Sequence, residues 1–309
     1  ESEFAKKLIM VIGALTSFFA ASVAIAQDDI KKIIAYSTCS QLGYMFVAIG
    51  ASAYGIAMFH LVTHAFFKAL LFLGAGSVIH AMSDEQNIKR MGGLYNKIPV
   101  TYALMLVGSF SLVGFPFFSA YYSKDLILEV LFMSDLSIKS YIYFIEVFVV
   151  FLTSFYSFRL LIHVFHGECK ADEKVKAHIH ESPNIMIFPL VILSFFSIFS
   201  GMMFTGYFFG INSIVFWSDS IVNISNTDII SSLQNIPIVI KKLPLLMVLL
   251  GFFTSIFLCL FFKNINSFLK DKFYFIYYFL QNKWFLDEIY EFTIVRSIKY
   301  LGNGFWKSI

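Results

Sequence analysis

The 309-residue chain is 58% hydrophobic, carries only 14% charged residues and contains 39 phenylalanines. Soluble domains are about 45–50% apolar and about 25% charged. A soluble core cannot absorb this much apolar surface, so the composition predicts an all-α, polytopic membrane protein. The formal net charge of +3 is small and spread along the chain. It argues against nucleic acid as a partner, because nucleic-acid binding needs a concentrated basic face.

Apolar stretches long enough to cross a bilayer, about 20 residues, recur along the chain. The predicted segments are 8–26, 33–52, 55–80, 100–133, 140–166, 185–209 and 243–262. A charged loop covers 83–99, and a long polar loop separates the last two segments. The tail from 265 onward mixes aromatic and charged residues, which predicts an amphipathic helix lying along the membrane surface.

Segment 100–133 is too long for a single straight crossing. At about 1.5 Å per residue it would reach about 50 Å, well past a ~30 Å hydrocarbon core. Its middle reads VGFPFF, with Gly114 and Pro116, and proline disrupts a helix interior. The segment is therefore predicted to be two half-helices joined by an unwound stretch. Such breaks occur where backbone is buried in protein or lines a wet cavity, and they mark ion sites in transporters.

The distribution of Lys and Arg between alternating loops predicts the topology. Nine basic residues fall on one side and five on the other, which favours the first side as the cytoplasmic or matrix side. The richer side holds Lys31, Lys32, Lys89, Arg90, Lys97, Lys170, Lys174, Lys176 and Lys263, and the poorer side holds Lys6, Lys7, Lys139, Lys241 and Lys242.

The stretch HLVTHAFFK places His60, His64 and Lys68 on one helical face inside an apolar segment. An ionisable side chain at such depth costs about 2.5–3.5 kcal/mol, so it is a functional candidate. Alternatives are hydrogen bonding between helices, with the lysine snorkelling to an interface, and a metal or haem site. HLVTH lacks the glutamate of HExxH, and the composition of this face favours a proton wire, since histidine titrates near pH 6.5.

Lys124 and Asp125 follow the break in segment 100–133. If Lys124 is buried, desolvation makes its proton easier to release, and a neighbouring carboxylate opposes that change. The alternative is that the segment ends early and that Ser-Lys-Asp forms a surface turn.

Of three further charges, two admit two interpretations each and the third favours one. Glu146 lies inside segment 140–166 and is either a proton-path carboxylate or a residue near the headgroups. Arg159, near the far end of the same segment, is favoured as an interfacial anchor. Lys31 lies in a short break, where it is either an ordinary positive-inside charge or part of a wet access route from that side.

Four stretches resemble a known family when taken in this order: DDIKKIIAYSTCSQLGYM, FHLVTHAFFKALLFLGAGSVIH, EQNIKRMGGL and YYSKDLILE. They are similar to the antiporter-like subunit L family of respiratory complex I, the proton-pumping NADH:quinone oxidoreductase, whose mitochondrial counterparts are its chain 5. The same core resembles the large subunit of multisubunit Na+/H+ antiporters. The match is specific over about residues 27–166, and the later segments fit the family by layout more than by residues.

The resemblance implies an antiporter-like bundle of two inverted five-helix repeats. Residues 1–166 would form the second repeat, 167–264 further C-terminal membrane helices and loops, and 265–309 the approach to a lateral helix. The first repeat and the lateral helix would lie outside the chain, which is thus expected to be a C-terminal-half fragment of a longer protein.

The resemblance also assigns residues. Lys124, with Asp125 beside it, matches the terminal proton-transfer lysine, while His60, His64 and Lys68 match the central hydrophilic axis. Lys31 matches a lysine at the cytoplasmic edge of that axis. Two features depart from the family: its break often carries paired prolines, whereas this chain reads GFPFFSAYYSK, and Glu146 has no assignable counterpart.

The resulting expectation is a proton-translocating subunit of complex I in a bacterial or mitochondrial inner membrane. NADH, FMN, iron–sulfur clusters and quinone would belong to other subunits, so no cofactor or metal is expected here. Its partners would be other membrane subunits, chiefly the adjacent antiporter-like one, and the lipid bilayer. A Na+/H+ antiporter subunit is the alternative, and a subunit whose buried charges only hold helices together is a third reading.

Overall fold

A computed structural model shows that the described part of the chain folds into a bundle of helices. The structure describes residues 2–210, 212–218, 220–221, 233, 235–262, 268 and 270–308. Secondary structure within these ranges is helical except for turns and one isolated bridge between Asp29 and Asn87. Six of the described helices are long and apolar enough to cross a membrane.

The first part of the chain forms helices that pack closely on one another. They are α1 (Glu3–Ala26), α2 (Ile30–Gly50), α3 (Tyr54–Ala81), α4 (Pro99–Val113), α5 (Ser119–Met133) and α6 (Lys139–Phe165). The second part holds α7 (Glu173–His178), α8 (Asn184–Phe208), α9 (Ser213–Trp217), α10 (Ile238–Ile256), α11 (Tyr274–Gln281), α12 (Leu286–Tyr290) and α13 (Arg296–Ser308). Two π-helical turns, Phe257–Phe261 and Glu291–Val295, extend α10 and join α12 to α13.

The predicted segments are confirmed with shifted ends. Helix α10 begins five residues before the predicted segment 243–262, so Lys241 and Lys242 lie in its first turns rather than in the preceding loop. Most of the polar loop before α10 and the predicted loop residue Lys263 fall outside the described residues. The assignment of the loops to membrane sides stays a prediction, as do the domain boundaries.

The break in segment 100–133 is confirmed. Helix α4 ends at Val113, Gly114 adopts the left-handed conformation (φ 78°), and α5 begins at Ser119. Glycine carries no Cβ, so it takes this conformation at little cost. The hydroxyl of Ser111 lies 2.8 Å from that of Ser119 and donates a 3.0 Å hydrogen bond to the carbonyl of Ser197 on α8. The break is therefore hydrogen-bonded to itself and to a neighbouring helix.

Helices α1 and α2 approach each other closely through small residues. A Cβ placed on Gly43 would lie 2.6 Å from the carbonyl oxygen of Gly13 and 2.6 Å from the backbone nitrogen of Ser17. Small residues allow backbones to approach in this way, which is a common basis of helix association in membranes. The contact fixes the height of α1 against α2 and so positions Ser17 beside the buried site.

The described part of the tail is helical and largely exposed, and its contacts with the bundle include α1 and the residue that follows it. Trp284 packs edge-on against Phe18 and Phe19 of α1, with ring centroids 5.9 and 5.2 Å away. The side chain of Gln27 donates a 3.1 Å hydrogen bond to the carbonyl of Gln281. Residues 263–267 and 269 lie outside the described residues, and the orientation of the tail on a membrane surface stays a prediction.

Candidate functional site

A polar face of α2 lies against the predicted His–Lys face of α3. Ser37 and Gln41 are one turn apart on α2, and both are buried. The ammonium of Lys68 donates a hydrogen bond to the hydroxyl of Ser37. His60 Nε2 lies 3.3 Å from Oε1 of Gln41. The two helices run in opposite directions, and these two contacts are one turn apart on α2 and two turns apart on α3.

The predicted face is buried, which rules out the snorkelling alternative for Lys68. His60 is 0% exposed, His64 5% and Lys68 4%. The rings of His60 and His64 have centroids 6.0 Å apart. His64 Nε2 has no hydrogen-bond partner among the residues that the structure describes, so it retains the capacity to accept or donate one.

The second half of the broken helix connects this face to Lys124. The hydroxyl of Ser123 on α5 lies 2.9 Å from Nδ1 of His60 and 2.9 Å from the hydroxyl of Thr63. Buried polar side chains therefore extend from Ser37 and Lys68 to His60 and Ser123, the residue that precedes Lys124.

Lys124 is buried inside the bundle, so the alternative of a surface turn is wrong. Its side chain is 1% exposed, and its ammonium lies 4.8 Å from the centroid of the Tyr44 ring. A cation over an aromatic face is stabilised by the ring quadrupole. Asp125 is half-buried, and within the described part of the chain no ion pair joins it to Lys124. Adjacent residues on a helix point about 100° apart, which explains the separation.

Glu146 is buried inside the bundle as well, and its depth relative to the headgroups stays a prediction. It is 0% exposed, and its Oε1 accepts a 2.7 Å hydrogen bond from the hydroxyl of Ser17. The Tyr44 hydroxyl donates a 2.6 Å hydrogen bond to the backbone carbonyl of Glu146. Tyr44 thus contacts both Lys124 and the residue that carries the buried carboxylate.

Lys31 lies outside this buried cluster. It is exposed in the first turn of α2, and the charges at that end are organised around Asp28. Arg159 donates hydrogen bonds to Oδ1 of Asp28 at 2.6 Å and to the carbonyl of Gln27 at 2.7 Å. Lys89 forms an ion pair with the other carboxylate oxygen of Asp28. Arg159 therefore ties α6 to the α1–α2 connection and is 8% exposed, which is more burial than an interfacial anchor requires.

Sequence reasoning missed Gln41 and Ser17. Gln41 carries a readable signal, because Ser37, Gln41 and Tyr44 follow helical spacing on one face of an otherwise apolar segment. Ser17 carries no such signal, because α1 contains many small residues and nothing in the sequence distinguishes this serine from them. Its role depends on the packing of α1 against α6.

The site combines buried titratable groups with hydroxyls and amides that retain hydrogen-bonding capacity. Ser40 Oγ, Gln41 Nε2, Lys124 Nζ and Glu146 Oε2 are buried atoms with no partner among the described residues. Hydroxyl and imidazole groups both donate and accept protons, so the arrangement suits proton transfer. In the same residues, no group of three or more His, Cys, Asp or Glu side chains is placed to hold a metal ion.

Comparisons with known proteins agree with this geometry. A family model described as "NADH:quinone oxidoreductase/Mrp antiporter, TM" matches residues 1–153, and a second, "NADH dehydrogenase subunit 5 C-terminus", matches residues 156–225. The chain belongs to this antiporter-like membrane family. The matched range contains every predicted site residue.

Curated relatives extend the agreement over almost the whole chain. It is 46% identical to NADH-ubiquinone oxidoreductase chain 5 of Acanthamoeba castellanii, over 94% of this chain and 43% of the relative. It is 46% identical to chain 5 of Phytophthora infestans, over 97% and 46%, and 43% identical to NADH-quinone oxidoreductase subunit L of Rickettsia bellii, over 97% and 46%. The chain thus spans less than half the length of these relatives. As a member of the antiporter-like family with apolar helices of spanning length, it is a multi-pass inner-membrane protein.

Proposed function

We propose that the chain forms a proton-translocating part of a membrane subunit of NADH:quinone oxidoreductase. The observation that carries the proposal is a row of buried polar groups in the interior of the bundle, in which Lys68 contacts Ser37, His60 contacts Ser123, and Lys124 follows Ser123 in the chain. The names of the relatives support a redox-coupled complex over a stand-alone Na+/H+ antiporter. In this role the chain is a subunit of a translocase and holds no redox centre.

Proton movement would follow the order of the contacts. A proton enters from the side with the lysine-rich loops, past the exposed Lys31, and loads Lys68. It then passes along His64, His60 and Ser123 to Lys124. Transfer against a membrane potential costs about 2.3 kcal/mol per charge per 100 mV. Charge changes elsewhere in the complex would supply this work by altering the proton affinity of the two lysines in turn.

The partners follow from the same proposal. The exposed apolar faces of α1 and α8 fit contact with lipid and with other membrane subunits of the complex, chiefly an adjacent antiporter-like subunit. NADH, FMN, iron–sulfur clusters and quinone would bind elsewhere in the complex.

The decisive experiment replaces Lys124 with methionine in the complete complex in its native membrane. Lys124→Met should reduce NADH-driven proton uptake while the complex still assembles, because methionine fills the space without carrying a proton. Lys97→Met is the matched control, since Lys97 is exposed in the 83–99 loop, and it should leave proton uptake unchanged.

Two outcomes would contradict the proposal. Unchanged pumping in assembled Lys124→Met would remove the lysine from the path. Proton movement that follows an imposed Na+ gradient and ignores NADH would favour the antiporter alternative. If the buried charges only hold the helices together, Lys68→Met should instead damage assembly more than transport.

A further inference from the structure

Glu146 is a buried carboxylate for which the sequence left a proton-path role open and the family resemblance offered no counterpart. It lies on α6, seven residues after the helix begins at Lys139, and it is 0% exposed. Isolated carboxylates are rarely buried without pairing, and inside membranes they mark ion or proton paths by default. The contacts of Glu146 therefore need an explanation beyond packing.

One carboxylate oxygen is held and the other is free. Oε1 accepts the 2.7 Å hydrogen bond from Ser17, which fixes the orientation of the group. Oε2 is buried and has no hydrogen-bond partner among the described residues. An oriented carboxyl group with one unoccupied oxygen has the arrangement that proton acceptance requires.

Lys124, a candidate proton donor, and Glu146 both contact Tyr44. The Lys124 ammonium is 4.8 Å from the centroid of that ring, and the Tyr44 hydroxyl is bonded to the backbone of Glu146. Lys124 Nζ also lacks a hydrogen-bond partner among the described residues. A lysine and a glutamate, each buried and each with an unpaired side-chain atom among the described residues, thus contact one aromatic residue. Asp125 adjoins Lys124 in sequence, forms no ion pair with it among the described residues, and is less buried than Glu146.

The position of Glu146 along α6 gives the transfer a direction. Seven residues of helix correspond to about 10 Å, so Glu146 is near the α6 end that the topology assigns to the lysine-poor side. His60, which contacts Ser123 beside Lys124, lies six residues after the start of α3 at Tyr54, an end that the topology also assigns to the lysine-poor side. Glu146 and His60 therefore lie at similar depth, and the side of release follows from the position of Glu146 on α6 alone.

We propose that Glu146 is the proton acceptor of Lys124 and carries the proton toward the lysine-poor side. An N–H bond of the ammonium breaks and an O–H bond forms at Oε2, which leaves a neutral amine and a neutral carboxylic acid. Release of that proton toward the lysine-poor side restores the carboxylate. Reloading of Lys124 from the His60 side restores the ammonium. This inference rests on the proposed function and adds its outward step.

The test compares Glu146→Gln and Glu146→Asp with Lys124→Met in the complete complex. Glutamine keeps an oxygen that accepts the Ser17 hydrogen bond but does not titrate. Glu146→Gln should reduce NADH-driven proton uptake to the level of Lys124→Met. Glu146→Asp, which retains a carboxylate, should preserve more uptake than Glu146→Gln.

Infrared difference spectroscopy supplies a readout that a purely structural role would not change. Turnover with NADH should produce the carbonyl stretch of a protonated carboxylic acid in the wild type, and Glu146→Gln should abolish that band. Ser17→Ala should shift the band without removing it, because the carboxyl group loses one hydrogen bond. This variant keeps the test available if Glu146→Gln fails to assemble.

The outcomes separate the two proposals. Normal proton uptake in Glu146→Gln with impaired uptake in Lys124→Met would overturn the role of Glu146 alone. A carboxylic-acid band that neither Glu146→Gln nor Ser17→Ala alters would also overturn it. Normal uptake in both assembled variants would overturn the proposed function itself.

Discussion

Asp28 is expected to be the electrostatic centre of the lysine-rich end of the bundle. Its carboxylate lies between Arg159, at 2.6 Å, and Lys89. The side chain of Arg159 is 9% exposed and that of Asp28 is 17% exposed. Asp28→Asn would leave a buried guanidinium and a second cation facing a neutral amide.

The expected cost follows from this burial. Removing one partner of a buried ion pair typically destabilises a protein by about 3–5 kcal/mol. Asp28 retains some solvent contact, and Arg159 keeps its 2.7 Å bond to the Gln27 carbonyl. We therefore expect the lower end of that range, about 3 kcal/mol.

A double-mutant cycle measures the coupling directly. Asp28→Asn, Arg159→Met and the double variant would be compared by thermal unfolding of the complete chain in detergent, followed by helical circular dichroism. The double variant should lose less than the two single changes combined, since the second change removes a charge already left unpaired. Glu173→Gln is the control, because the Glu173–Lys176 pair is exposed and exposed ion pairs contribute little to stability. Strictly additive effects of Asp28→Asn and Arg159→Met would refute the reasoning.

Two further predictions concern packing and pH. Gly43→Ala should lower the thermal midpoint, because α1 and α2 must separate by about 0.8 Å to restore a 3.4 Å contact, at a cost of about 1–3 kcal/mol. Gly76→Ala, which meets nothing within 4 Å, should be nearly neutral, and equal effects of the two changes would contradict the close packing. Partial burial lowers the pKa of His166 below 6.5, so the fold favours the neutral ring. Its stabilising contribution is present above about pH 6.5 and is lost as the pH falls. His166→Asn should therefore flatten the decline in thermal midpoint between about pH 8 and about pH 5.5, and an unchanged slope would count against this assignment.

The buried charged residues could be predicted from the sequence, whereas most of the residues that they contact could not. The burial of Lys68 and Lys124 was predictable because both lie inside apolar segments. A charge deep in such a segment is costly, so it is a candidate functional residue. The break near Gly114 was predictable because the segment is too long and contains proline.

The partners depend on which helix faces meet, and one sequence does not specify this. The burial of Glu146 depends on the packing of α1, which brings Ser17 against it. Arg159 reads as an interfacial residue unless the α1–α2 connection folds back to present Asp28. Lys31 is exposed, in contrast to Glu146 and Arg159. It lies in the first turn of a helix, where burial depends on which other segments pack nearby.

The hydrogen bonds at the break have a consequence for timescale. Ser111 joins Ser119 across the unwound stretch and also binds α8, and the backbone at Gly201 on α8 approaches so closely that a Cβ there would lie 2.5 Å from the Ser119 carbonyl. Half-helices fastened in this way do not swing independently, and hinge motions that take microseconds to milliseconds have no free joint at this place. Rearrangement at this level then falls to side chains. Lys68 and Lys124 are buried, so their rotation is slower than the picoseconds to nanoseconds of exposed side chains, and the packing around them sets its rate.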